Sequence, residues 1–93
     1  SLMQSEEIAQ RTWPNATHAA VALPSSRKGE QIILLTEHPQ PERSELVGTA
    51  KKLGVPELSI PKRVIYHDTI PLLGSGKVDY PALRELAKEL TAA

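Results

Sequence analysis

Hydrophobic positions along the chain repeat first with a helical period, then as runs and alternations, and the changeovers fall at proline, glycine and polar clusters. Leu2, Ile8, Ala9 and Trp13 mark the apolar side of a short opening helix, with Ser1 or Ser5 as its cap. Glu6 and Glu7 stand early, where the helix dipole favours negative charge, and Pro14-Asn15 ends the helix. Thr17–Leu23 reads as a strand and Pro24–Gly29 as a polar turn. Gln31–Thr36 is a continuous apolar run with β-branched members, which predicts a strand covered on both faces and paired with the first as a hairpin.

Pro39 and Pro41 interrupt the pattern, and from Glu42 a second helix is predicted. Leu46, Ala50 and Leu53 lie on one face, and Lys51, Lys52 and Gly54 mark its end. Val55–Pro61 is a proline-bracketed connector and Arg63–His67 a third strand. Asp68–Leu73 then leads into the loop Gly74-Ser75-Gly76-Lys77. Asp79 is placed to cap a last helix that has Pro81 in its first turn and an apolar stripe of Leu83, Leu86, Ala87 and Leu90. The order α-β-β-α-β-α predicts the α+β class, a small sheet of about three strands flanked by helices, in a single domain over residues 1–93.

Composition narrows the function. With 93 residues the chain holds one thin core, so a large buried catalytic pocket of its own is not expected. Its 11 basic and 11 acidic side chains balance, and only Trp13, Tyr66 and Tyr80 are aromatic; a nucleic-acid binder would show a basic excess and stacking rings. The absence of cysteine excludes disulfides, thiolate nucleophiles and sulfur-bound metals. No apolar run reaches the roughly 18–20 residues of a membrane span. The chain begins on Ser1, which leads to the expectation that it is a fragment of a longer protein.

Gly74-Ser75-Gly76-Lys77 is the segment richest in possible chemistry. Glycines around a serine let the backbone turn sharply, and the lysine that follows, at the tip of a mobile loop, offers an ammonium to phosphate or carboxylate oxygens. It is not a nucleotide-binding phosphate loop, because that motif needs glycine at 71 and serine or threonine at 78, where this chain has Pro71 and Val78. Taken alone, the tetrapeptide is also compatible with an ordinary turn. No metal site is expected: His18, His38 and His67 lack metal-binding spacing. His18 and His67 read as structural histidines in strands and His38 as solvated. Tyr66 reads as sheet packing, Asp68 as a turn former and Asp79 as a cap. Ser75 has no base to activate it. The pairs Arg27-Lys28, Lys51-Lys52 and Lys62-Arg63 read as solvated surface or as docking points for an acidic partner.

Three stretches together resemble the C-terminal domain of the adenylate-forming superfamily, which includes acyl-CoA synthetases, peptide-synthetase adenylation domains and luciferases. They are Lys28-Gly29-Glu30 with the apolar run after it, the connector Val55–Pro61, and Ile70–Leu83, which resembles the superfamily signature that contains Gly-Lys. Val55–Leu58 and Pro71–Lys77 further resemble bacterial bifunctional enzymes that join an acyl-[acyl-carrier-protein] synthetase to a 2-acylglycerophosphoethanolamine acyltransferase at the inner membrane.

The resemblance implies that Lys77 is the catalytic lysine, entering the active site of a large N-terminal domain, and that Gly74, Ser75 and Gly76 shape its loop. It implies ATP and Mg2+ as cofactors held mainly by that absent domain, with a hinge before residue 1. A fatty acid would be the substrate, and acyl carrier protein or CoA the thiol acceptor. It also implies a cytoplasmic location at the membrane face, with these 93 residues inactive alone. Tyr80 and Leu73 depart from the arginine and threonine common at those positions. The alternative is a non-catalytic module whose basic pairs dock a carrier protein or subunit.

Overall fold

The computed structural model describes residues 1–27 and 29–92; Lys28 and Ala93, and with them part of the Arg27-Lys28 pair and of the Lys28-Gly29-Glu30 stretch, lie outside the described residues. The apolar run after Gly29 dominates the architecture. It forms the middle strand, β2 (Gly29–Thr36), and Ile33, Leu34 and Leu35 are completely buried, as expected of a strand covered on both faces. β1 (His18–Ser25) pairs with it antiparallel, with Ala20 opposite Leu34, and β3 (Arg63–Tyr66) pairs with it parallel, with Leu35 opposite Ile65. The sheet order is β1-β2-β3. Parallel pairing requires a crossover, and α2 (Arg43–Leu53) supplies it.

Side chains of the strands alternate between two cores. On one face Ala20 and Leu34 pack with Ile8, Ala9, Trp13, Leu46, Ala50 and Ile60, beneath α1 (Leu2–Thr12) and α2. On the other, Val21, Ile33 and Leu35 pack with Ile70, Leu83 and Ala87, beneath α3 (Tyr80–Thr91). The result is a helix–sheet–helix arrangement of the predicted α+β class.

The ends of the elements follow local chemistry. Ser1 caps α1, its hydroxyl accepting from the Gln4 N–H at 3.2 Å, whereas Ser5 is buried and donates to the Ser59 carbonyl. Glu45 reaches back to the Glu42 N–H at 3.3 Å to open α2, and Gly54 closes it in the left-handed region at φ 69°. Pro24 and Ser25 continue β1, which tolerates a proline because it is an edge strand. Leu53 and Leu90, expected in apolar stripes, lie at the margins and are more than a third exposed. Tyr66, expected to pack in the sheet, ends the edge strand β3 and is 47% exposed.

His18 is a structural histidine. Its Nε2–H donates to the Trp13 carbonyl at 2.8 Å, which leaves Nδ1 to accept from the Thr36 hydroxyl at 2.7 Å. His38, expected in solvent, instead stacks on Trp13 with ring centroids 4.9 Å apart and planes 8° from parallel. His67 lies just past the end of β3 and its Nδ1 meets the backbone of Thr69.

Burial lowers the pKa of His18 below its usual value, outweighing the carbonyl of Trp13, which acts in the other direction. Below about pH 6.5 the unfolded chain therefore binds a proton that the folded chain resists, so stability falls as pH falls. The urea midpoint is expected to drop between pH 7.5 and 5.5 in the wild type, and more shallowly in His18→Gln; equal slopes would remove His18 from this account.

Candidate functional site

The Gly-Ser-Gly-Lys segment, expected as a loop, is the turn of a hydrogen-bonded hairpin. The Gly76 N–H donates to the Leu73 carbonyl at 2.9 Å, the Leu73 N–H donates to the Lys77 carbonyl at 2.7 Å, and Leu72 and Val78 form an antiparallel bridge. The Asp79 N–H closes the base by donating to the Pro71 carbonyl at 2.9 Å. This pattern is a tight turn followed by a left-handed residue, and Gly76 supplies that residue at φ 91°. Gly74 has no left-handed backbone, and a Cβ there would meet nothing within 4 Å. Ser75 sits in the turn with its Oγ 3.5 Å from the Lys77 N–H, and among the described residues no histidine or carboxylate hydrogen-bonds to it.

Lys77 stands on the returning strand of the hairpin, one residue past the turn. It is exposed, and no carboxylate lies within ion-pair distance of its ammonium among the described residues. Leu72 and Leu73 beside it are also about half exposed, so the hairpin displays an unpaired cation next to apolar surface.

Both ends of the hairpin are fixed. At the entry Ile70 is buried, and at the exit Asp79 accepts from the Ala82 N–H at 3.1 Å and so caps α3, as the sequence predicts, while Leu83 enters the core. Sequence reasoning missed two carboxylates here. Glu37 accepts from the Ile70 N–H at 2.8 Å, and Glu6 accepts from the Tyr80 hydroxyl at 2.6 Å. Nothing in the local sequence marks either contact, because each joins residues far apart in the chain. Burial and the neighbouring Glu6 carboxylate raise the Tyr80 pKa to about 12, so this phenol is a permanent donor at ordinary pH.

The described residues include no group of three or more histidine, aspartate or glutamate side chains placed to hold a metal ion. For a nucleotide the hairpin offers a single ammonium and nothing to hold base or ribose. The residues present therefore fit one contact to an anionic oxygen. No described helix is long and apolar enough to cross a membrane. The basic positions Arg27, Lys51, Lys52, Lys62 and Arg63 are exposed and dispersed over turn, helix and strand.

No model of a known protein family matches the sequence. The chain is 34% identical over 73 residues to the peroxisomal trans-cinnamate:CoA ligase of Petunia hybrida, which covers 75% of this chain and 13% of that protein. Among solved structures, it superposes on the fatty acyl CoA synthetase of Mycobacterium tuberculosis with a TM-score of 0.79 at 22% identity, covering 94% of this chain and 18% of the other. It superposes on MbtA of Mycobacterium smegmatis with a TM-score of 0.76 at 30% identity, covering 89% and 16%. The fold is that of the C-terminal domain of acyl-CoA synthetases. The chain thus spans less than a fifth of the length of each of these proteins.

The hairpin geometry separates the two glycines. Gly76→Ala is expected to weaken the hairpin by about 1–2 kcal/mol, read as faster hydrogen exchange at the Leu73 and Asp79 amides, whereas Gly74→Ala should leave both protected. Equal protection in the two variants would contradict the assigned turn.

Proposed function

We propose that this chain is the C-terminal domain of an acyl-adenylating ligase and that Lys77 is the cation it contributes to adenylate formation. The observation that carries the reading is an exposed, unpaired lysine on a hydrogen-bonded hairpin, anchored at both ends, in a domain with this fold. The likeness to a CoA ligase over three quarters of the chain supports it.

The chemistry follows from charge. Attack of a carboxylate on the α-phosphate of ATP, which forms the acyl–AMP bond, breaks the α–β phosphoanhydride bond and releases pyrophosphate, brings two anions together and builds negative charge on phosphate oxygens. An ammonium held in place counters both, and it acts most strongly where the apolar surface around it, here Leu72 and Leu73, excludes water on docking. ATP and Mg2+ supply the activated phosphate and are held mainly by another domain of the same protein. The domain's own part is to deliver Nζ of Lys77 to the reacting oxygens. Movement of such a domain away from the site would then allow transfer of the acyl group to a thiol.

The finer reading takes a fatty acid as substrate and acyl carrier protein or CoA as acceptor, with the acyl group used in phospholipid reacylation at the cytoplasmic face of a bacterial inner membrane. It rests on the sequence likeness of Val55–Leu58 and Pro71–Lys77 alone.

In the full-length protein, Lys77→Ala is expected to slow acyl-adenylate formation by about 10²–10³-fold while sparing transfer from preformed adenylate. The two half-reactions are measured separately, by ATP–pyrophosphate exchange and by single-turnover thioester formation. Equal losses in both would count against the role, and an unchanged exchange rate would end it.

A further inference from the structure

The exposed hairpin has few packing contacts with which to hold its ammonium steady. Leu72, Leu73 and Lys77 are exposed and Val78 beside them is only partly buried against the α3-side core, so the position of Lys77 depends also on what fastens the two ends. A carboxylate does so at each. At the entry, Glu37 Oε2 accepts from the Ile70 N–H at 2.8 Å, just beyond the end of β2. At the exit, Glu6 Oε2 accepts from the Tyr80 hydroxyl at 2.6 Å and from the Ala20 N–H at 2.9 Å.

The Glu6 contact joins three elements through one oxygen: α1, which carries Glu6, the free edge of β1, which presents Ala20, and the first residue of α3, Tyr80. Neither carboxylate lies within ion-pair distance of a cation among the described residues. Their charge acts through N–H and O–H donors, and hydrogen bonds to an ionised acceptor are shorter and stronger than neutral ones. The phenol stays protonated throughout the working pH range, so this donor is not lost by titration.

We propose that Glu6 and Glu37 are positioning residues for Lys77, fastening the exit and the entry of its hairpin, with Tyr80 as the donor through which Glu6 acts. The proposal rests on the reading of Lys77 as the adenylation cation. Neither carboxylate touches the reacting atoms; each fixes where the ammonium sits relative to the sheet. A displacement of about 1 Å at a catalytic group can cost on the order of 10²-fold in rate, which sets the size of effect to look for.

The test uses the full-length protein, with palmitate as the acid, or trans-cinnamate where palmitate is not activated. Tyr80→Phe, Glu6→Gln and Glu37→Gln are each expected to lower kcat for adenylate formation roughly tenfold to hundredfold, with KM for ATP and the rate of thiol transfer nearly unchanged. Tyr80→Arg, whose guanidinium can donate to Glu6, is expected to keep a rate close to wild type, which a generally damaged structure would not. Glu6→Gln keeps one acceptor oxygen for the Ala20 N–H and the Tyr80 hydroxyl but loses the charge and turns the other terminal atom into a donor, so if Glu6→Gln fails to fold, Tyr80→Phe decides, because it leaves the Ala20 bond untouched. Unchanged adenylation in Tyr80→Phe and Glu37→Gln, equal slowing of both half-reactions, or a Tyr80→Arg as slow as Tyr80→Phe would overturn the positioning role. In those cases a Lys77→Ala still defective in adenylation leaves the reading of Lys77 standing; a Lys77→Ala with normal adenylation removes both.

Discussion

Burial of β2 on both faces is the constraint from which the rest of the structure follows. Ile33 and Leu35 point to one side and Leu34 to the other, and each side must be covered by helix. α1 and α2 cover one face and α3 the other. β1 and β3 take up the hydrogen-bonding edges of the buried strand, so polar chemistry is shown on the outer helix faces, the outer strand edges and the connections. The free edge of β1 is covered by side chains, with Glu6 accepting from the Ala20 N–H and Arg84 donating to the Ala22 carbonyl. The connection after β3 is the one that carries Lys77.

That connection leaves the sheet where β2 and β3 end together. Thr36 pairs with Tyr66, the His67 N–H donates to the Thr36 carbonyl, and Glu37 beyond it takes the Ile70 N–H. Ile70 then returns to the α3-side core and the chain turns out into the hairpin. Displaying a cation on a thin exposed element would ordinarily blur its position. Here the backbone bonds across the hairpin and the two anchored ends limit that freedom, so an exposed Lys77 sits on a backbone tied down on both sides. Function in the proposed reading needs both: exposure to reach another domain, and order to place charge where it develops.

Much of this was legible from residue order. The buried middle strand follows from five apolar or β-branched positions between turn signals, the α2 stop from Gly54, and the α3 start from Asp79 with Pro81 behind it, because each of these signals is local. Lys77 was legible as a candidate for the same reason. What escaped was long-range. The parallel pairing of β3, the stacking of His38 on Trp13, and the carboxylates of Glu6 and Glu37 all depend on residues brought together only by the fold. The closure of the hairpin was hidden too, since glycine and serine predict a turn without saying whether backbone bonds close it. Tyr80 shows the same limit: in the sequence it is a departure from the arginine common there, and in the structure it is a donor to Glu6.

The central claim is that this fold delivers the ammonium of Lys77 to the oxygens at which an acid is joined to AMP. A crystal structure of the full-length protein holding a non-hydrolysable acyl-adenylate mimic tests it most directly. The account predicts Nζ of Lys77 about 2.7–3.0 Å from a carbonyl or α-phosphate oxygen of the mimic, with the hairpin bonds from Leu73 to Lys77 and Gly76 intact. A structure of that adenylating complex in which Lys77 points into solvent while another cation contacts those oxygens would contradict it.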